Sequence, residues 1–468
     1  MLSEERKHLI EEACGVFGIS GNSEAANLTY LGLHALQHRG QESAGIASLD
    51  HSGVLRIQRK IGLVSEGFTE EVIETLPGNV AIGHVRYSTT GESSIRNAQP
   101  IYASTKFGQI ALAHNGNLTN AEFLRKKLEQ EGSIFGTSTD TEVIAHLVAR
   151  SRAKDIQGAL IEALAQLEGA YSLVCLTKDF MAAVRDPRGV RPLVCGRLGE
   201  ARVVASEQTA FQLIGARFDR EIAPGEMLIA HKDGSEKWLK PFNAQRPTPC
   251  IFELVYFARP DNEVFGRNVY ETRKQMGRIL AQQSGVEADL VIAVPDSGMP
   301  ASLGYAEESG IRFEIGLVRS HYIGRTFIEP SNSIRHFGVK LKLAPVNSVI
   351  RGKRVIVVDD SIVRGTTCRK IIKMVREAGA KEVHFRVASP PTTHPCFYGI
   401  DTPERSQLIA SSHSTEEIRK YITADTLAYL SLDGLRQAVR AEVTDGESNF
   451  CDACFTGRYP IPVGSRQT

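Results

Sequence analysis

The densest chemistry in this chain is the run RVIVVDDSIVRGTT, residues 354–367. Its apolar stretch, 355–358, reads as a buried parallel strand. Two carboxylates, Asp359 and Asp360, follow at the strand's carboxyl end, where open α/β sheets bind ligands. The next loop carries Ser361, Arg364, Gly365, Thr366 and Thr367 and opens a helix. Backbone N–H groups and hydroxyls at such a place can wrap an anion. Two adjacent carboxylates beside an anion cradle need something neutral or cationic between them, and sugar hydroxyls and Mg²⁺ have that chemistry. An Asp serving only as a helix N-cap leaves the second Asp and the Thr pair unexplained.

Cysteine is the other reactive type, with eight in the chain. Cys14 follows the charged leader MLSEERKHLIEEA and precedes GVFGI, a place that suits either a small buried side chain or a nucleophile. Cys451-Asp-Ala-Cys454 has the C-x₂-C spacing with which two thiolates grip one metal centre. Cys175 and Cys195 lie in apolar strand runs and Cys368 just inside the helix after the phosphate loop, so packing roles are expected for these.

The elements that position these residues change character along the chain. From 14 to about 240, short apolar runs with glycine punctuation read as strands (CGVFGI, VAIGHV, QIALAH, YSLVCLT, RPLVCG, ARVVAS). Two helices are predicted among them, at 121–131 and 141–152. The pattern suggests stacked sheets with flanking helices. The polar, proline-bearing stretch 240–249 reads as a linker. From 251 onward strands alternate with helices, which implies βαβ units and a parallel sheet. The segment from about 411 reads as mainly helical.

Composition narrows the function. In 468 residues, Lys plus Arg number 55 and Asp plus Glu 54, a net charge of +1 that argues against nucleic-acid binding through bulk phosphate neutralisation. No apolar run is long enough to span a bilayer and the leader has no apolar core, so a cytoplasmic protein without membrane partners is expected.

The 354–367 motif resembles the phosphoribosyl pyrophosphate signature of type I phosphoribosyltransferases. VIAVPDSGMPAS (291–302) is similar to that family's pyrophosphate loop, and YIGRTFIEPSNSIR (322–335) to its lid, with Arg325 in it and Lys340 after it. In the first half HRGQESAGI (38–46), GHVRYSTTG (83–91), LAHNGNLTN (112–120) and TSTDTEVIAHL (137–147) together resemble the N-terminal-nucleophile, or class II, glutamine amidotransferases. The combination, with FELVYFARPDN (252–262) and SPPTTHPCFYGID (389–401), is similar to the glutamine phosphoribosylpyrophosphate amidotransferase family, in its iron–sulfur subclass with a propeptide.

That resemblance implies an α/β chain: a propeptide (1–13), an αββα-sandwich glutaminase domain (14–245) and a phosphoribosyltransferase parallel-sheet domain (250–468). It implies that Cys14 is the nucleophile with its own freed α-amine as base. Arg86 would hold the glutamine carboxylate and Asp140 its ammonium, with Asn115 and Gly116 forming the oxyanion hole. Arg39 is given a supporting role, and His38, His84 and His114 are expected to be structural. Phosphoribosyl pyrophosphate would meet Asp359, Asp360, Ser361, Arg364, Gly365, Thr366, Thr367, Arg325 and Lys340. Mg²⁺ would sit at Ser297, Asp359 and Asp360, and a [4Fe–4S] cluster on Cys250, Cys396, Cys451 and Cys454. A structural Zn²⁺ on the same four thiolates is the alternative, since spacing alone does not separate the two.

The expected reaction is attack of glutamine-derived ammonia on phosphoribosyl pyrophosphate to give 5-phosphoribosylamine, the first step of purine synthesis. A mostly apolar passage between domains would keep the ammonia unprotonated. A homotetramer inhibited by purine nucleotides is implied as well. Two other readings predict different features. Another class II enzyme such as a sugar-phosphate synthase needs an isomerase domain, and a phosphoribosyl pyrophosphate-sensing regulator needs a DNA-binding face.

Overall fold

The computed structural model describes residues 14–87, 94–243, 245–320 and 343–463. In the first half, two antiparallel sheets of seven and six strands lie face to face. Strand Gly15–Ser20 is central in the larger sheet, paired with Val80–Arg86 on one side and Ala201–Ala205 on the other. Its side chains alternate as a doubly covered strand requires. Val16 enters the layer between the sheets with Ala47, Ile82, Val174 and Met181. Phe17 and Ile19 turn outward under helix Ala25–Ala35. Helices Thr141–Arg150 and Ile156–Leu164 cover the outer face of the smaller sheet. The result is an αββα sandwich.

In the second half, four parallel strands run in the order Leu290–Ala293, Arg354–Asp359, Glu382–Val387, Thr426–Tyr429. Both faces are buried. Val355 and Val357 pack toward helix Thr366–Glu377, while Ile356 and Val358 pack on the side of helices Val269–Gln283 and Met299–Ser309. This explains the unbroken apolar run in the sequence. The register pairs Asp359 with Val387 and Val358 with Ala293, so the reactive loops leave the sheet at one edge.

Two sequence expectations need correction. The first half holds more helices than the two predicted: Ala25–Ala35 and Ile156–Leu164 are also helical. The segment after 411 is mixed, because Thr426–Tyr429 forms the fourth parallel strand and Val443–Thr444 pairs with Glu447–Ser448 as a hairpin. Among the described residues no helix is long and apolar enough to cross a membrane.

Candidate active sites

Cys14 stands just ahead of the central strand Gly15–Ser20 and is 6% exposed. Its thiol donates to the Tyr87 carbonyl at 3.4 Å, and its own carbonyl accepts from Arg39 Nε at 3.1 Å. Burial pushes the thiol up to about 11, with Arg86 pulling the other way. At neutral pH it is therefore a thiol that needs a base. Cys14, Arg86, Tyr87, Gln99, His114, Gly116, Thr139 and Asp140 line one pocket. Cys14, Arg86, Gly116 and Asp140, singled out on four separate sequence segments, thus meet in one pocket.

Asp140 ends the loop before helix Thr141–Arg150. Burial opposes its charge, but His114 and the Leu118 amide, which donates at 2.9 Å, hold its carboxyl below the usual range. Asn115 is fully buried, its amide 3.5 Å from Ser206 Oγ and its Oδ1 without a protein partner.

The histidines already have hydrogen-bond or ion-pair partners. His84 is driven down to about 3 by burial, so it stays neutral. The ring nitrogens of His114 face Thr141 Oγ1 and the Ala170 carbonyl, each at 3.2 Å. His38 meets Glu207 at 2.9 Å.

Beneath Cys14 lies a charged network that sequence reasoning missed. Arg39, 1% exposed, pairs with both Glu207 and Glu253. Glu253 also meets the fully buried Arg191 at 2.7 Å. Asn262 donates to Glu207 and accepts from the Thr209 amide. Glu253 and Asn262 belong to FELVYFARPDN, so that segment docks onto the first half through buried charge. The available signal was an acid inside an apolar run, a placement that burial permits only with a partner.

At the parallel sheet's edge, Asp359 and Asp360 are each 7% exposed. Burial and the Asp360 charge push Asp359 well above the usual carboxylate range, and burial raises Asp360 too. The Ser361 hydroxyl donates to Asp360 at 2.6 Å, and the Ser297 hydroxyl, from the loop after Leu290–Ala293, reaches the same carboxyl. Gly365 takes φ +75°, which an L side chain resists, to turn the chain into helix Thr366–Glu377. Thr366 and Thr367 form that helix's first turn, and Arg364 Nη2 donates to Gln407. Arg273, on helix Val269–Gln283, brings a buried cation within electrostatic reach of Asp360; burial lowers it to about 10. Arg325, Lys340 and the leader 1–13 lie outside the described residues.

Cys250, Cys396, Cys451 and Cys454 are free thiols in one region. Cys250 and Cys451 face each other in an isolated parallel bridge. Burial pushes Cys250 up to about 12 and raises the other three, and their mutual repulsion raises Cys451 and Cys454 further. Among the described residues no group of three or more His, Cys, Asp or Glu is arranged to hold a metal ion. Cys175, Cys195 and Cys368 are buried within their strands and helix.

Residues 84–213 match the glutamine amidotransferase domain family, and residues 271–390 the phosphoribosyl transferase domain family. The chain is 54% identical over 452 residues to amidophosphoribosyltransferase 2, chloroplastic, of Arabidopsis thaliana, covering 96% of this chain and 80% of that one. It is 50% identical over 455 residues to the amidophosphoribosyltransferase of Bacillus subtilis, covering 97% and 95%. The chain belongs to the amidophosphoribosyltransferase family. Among solved structures, glutamine phosphoribosylpyrophosphate amidotransferase from Bacillus subtilis, complexed with ADP and GMP, superimposes with a TM-score of 0.91 at 49% identity, covering 97% of this chain and 99% of that one. As an amidophosphoribosyltransferase, the enzyme makes 5-phosphoribosylamine from glutamine and phosphoribosyl pyrophosphate, releasing glutamate and pyrophosphate, at the first step of purine biosynthesis.

Proposed function

We propose that the two half-reactions divide between the Cys14 pocket and the Asp359 loop. The observation that carries this reading is the single pocket lined by Cys14, Arg86, Gly116 and Asp140. Its charges suit glutamine, with Arg86 for the α-carboxylate and Asp140 for the α-ammonium, which leaves the side-chain amide toward Cys14. A thiol at about 11 needs a proton acceptor, and the engaged histidines leave that task to the α-amine freed when residues 1–13 are removed. The sulfur attacks the amide carbon. Asn115 and the Gly116 N–H meet the developing oxyanion, ammonia leaves, and water later hydrolyses the γ-glutamyl thioester to glutamate.

The second site receives the ammonia. The buried carboxylate pair, held above its usual pKa range with Ser297 and Ser361 beside it, fits hydroxyls and Mg²⁺. Mg²⁺ bound there supplies charge neutralisation for the departing pyrophosphate. Ser361, Arg364, Gly365, Thr366 and Thr367 cradle the 5-phosphate end, and Arg325 and Lys340 are the cations assigned to the ligand by resemblance. Ammonia attacks C1 as the C1–O bond to pyrophosphate breaks.

The four gathered cysteines support the iron–sulfur subclass. Two of them, Cys250 and Cys451, are brought side by side by the bridge between their segments, and all four lie in one buried region. The transfer moves no electrons, so the group's contribution is to tie the start of the second half to its end. Domain limits of 14–245 and 250–468, a cytoplasmic location, homotetramers and inhibition by purine nucleotides complete the proposal. The nucleotides named in the related structure support the last of these.

Intact-mass measurement and metal analysis of anaerobically purified enzyme test this reading. The expected outcome is a chain beginning at Cys14 with about four iron and four sulfide per chain. A fully active chain that keeps residues 1–13, or a colourless enzyme holding zinc, overturns the corresponding part.

A further inference from the structure

Gly116 is confined on two sides. Behind it, a Cβ would lie 2.0 Å from the Ala170 carbonyl oxygen of its own sheet. In front stands Gly399, from the second half, in the left-handed region at φ +103°. A Cβ on Gly399 would come within 2.7 Å of both Cα and C of Gly116. One residue further along the Gly116 strand, Asn117 Nδ2 donates to the Phe397 carbonyl at 2.9 Å.

The segment making these contacts is itself held firmly. Tyr398, 2% exposed, donates its hydroxyl to the Ile461 carbonyl at 2.7 Å and accepts from the Ile461 amide at 3.0 Å. The Phe397 ring packs on Tyr459 with centroids 5.0 Å apart. The Cys396 amide donates to Thr402 Oγ1 at 2.6 Å.

We propose that Cys396–Gly399 is the positioning element of the oxyanion hole, a strap from the phosphoribosyltransferase half that fixes the Gly116 N–H through Gly399 and the Asn117–Phe397 hydrogen bond. This rests on the reading of Asn115 and Gly116 as oxyanion donors. An oxyanion donor acts only when aimed at where charge develops, and a misplacement near 1 Å costs about 10²-fold. Only a residue without a Cβ lets the strap's backbone lie this close to the Gly116 backbone. Neither Gly399 nor Asn117 is among the residues that line the Cys14 pocket, so their effect is expected on the chemical step.

Three variants decide it: Asn115→Ala, Gly399→Ala and Asn117→Ala, each assayed for glutamate release from glutamine and for pyrophosphate release driven by added ammonia. Asn115→Ala is expected to lower the kcat of glutamate release on the order of 10²-fold. Gly399→Ala should lower it about tenfold or more, and Asn117→Ala by a smaller factor of about three to ten. The KM for glutamine and the ammonia-driven reaction should stay within about twofold in both strap variants. If Asn115→Ala leaves glutamate release intact, the oxyanion assignment fails and takes the inference with it. If Asn115→Ala falls but the strap variants keep their kcat, only the inference is overturned. A parallel loss of the ammonia-driven reaction makes the strap a general prop and overturns it. So does normal glutamate release with weakened glutamine-driven transfer, which would make the strap a wall of the ammonia route. Should Gly399→Ala fail to fold, Asn117→Ala, which deletes one hydrogen bond, carries the decision.

Discussion

The Cys14 pocket and the Asp359 loop both bury ionisable groups, yet they treat charge in opposite ways. Around Cys14 the described charges meet opposite charges or strong donors: Asp140 has His114 and the Leu118 amide, and Arg39 has Glu207 and Glu253. The groups sit on strands or at element ends of a sandwich covered on both sides. At the Asp359 loop two like charges adjoin, and burial pushes both carboxyls toward the neutral form. At the first site the charges are matched by folding alone. The second stores unfavourable electrostatics, which the cation and anion proposed to bind there would relieve.

The comparison is broken most violently at the nucleophile. Cys14→Ser should lower glutamate release by at least about 10⁴-fold. Ammonia-driven transfer should stay near the wild-type rate, because the second site owes nothing to the sulfur. Pyrophosphate release with each nitrogen source measures both, and parallel loss of the two would mean that the sites are not separable.

Asp360→Asn sharpens the contrast, because its two effects run in opposite directions. Transfer with either nitrogen source should fall about 10²-fold, as for a lost electrostatic partner of the transition state. The ligand-free enzyme should meanwhile melt higher. A carboxyl whose folded pKa lies above its unfolded one costs stability at neutral pH, and that cost fades as pH falls through the folded value. The Tm gain of the variant should therefore be larger at pH 8 than at pH 5. A Tm below wild type at pH 8 would contradict the picture of stored repulsion.

A further test concerns the seam, and its readout is stability rather than rate. Glu253→Gln leaves Arg39 and Arg191 sharing a neutral partner and should destabilise the fold by about 3 kcal/mol. Burial opposes ionisation of Glu253, but Arg191 and Arg39 prevail and hold its carboxyl below the usual range. The sign is then the reverse of Asp360: its contribution is present above the ordinary carboxylate range and lost as pH falls through the folded value. Chemical denaturation at pH 7 and pH 4 measures it, and the gap between wild type and variant should narrow at the lower pH.

What the sequence revealed, and what it hid, follows the range of the interactions. Strand 354–359 with its two carboxylates and the helix behind it are consecutive, so an apolar run and a glycine declare them. The Cys14 pocket was legible through resemblance carried by short motifs, each at a strand or helix end. Helix Ala25–Ala35 was not legible, because it is buried on much of its surface and Gly32 interrupts it where the Phe17 ring needs the space; a Cβ there would lie 2.4 Å from that ring. The Arg39–Glu253 and Arg39–Glu207 pairs join residues 214 and 168 positions apart, and no local period marks such a pairing. Strand Thr426–Tyr429 was hidden in a helical neighbourhood, because its place depends on Glu382–Val387 beside it.

The bridge between Cys250 and Cys451 also sets a timetable. The Ile251 amide donates to the Cys451 carbonyl at 3.1 Å and the Cys451 amide to the Pro249 carbonyl at 2.8 Å, so the second half is fastened at its beginning by its end. During synthesis the αββα sandwich, whose sheets pair only among their own strands, has its partners at hand once its last strand emerges, as domains made first generally do. The fastening must wait until residues 451–454 leave the ribosome, and with it the core contacts that hold Tyr398 against Ile461. The Asn117–Phe397 hydrogen bond, which joins the two halves, is thus among the last contacts that the chain can make.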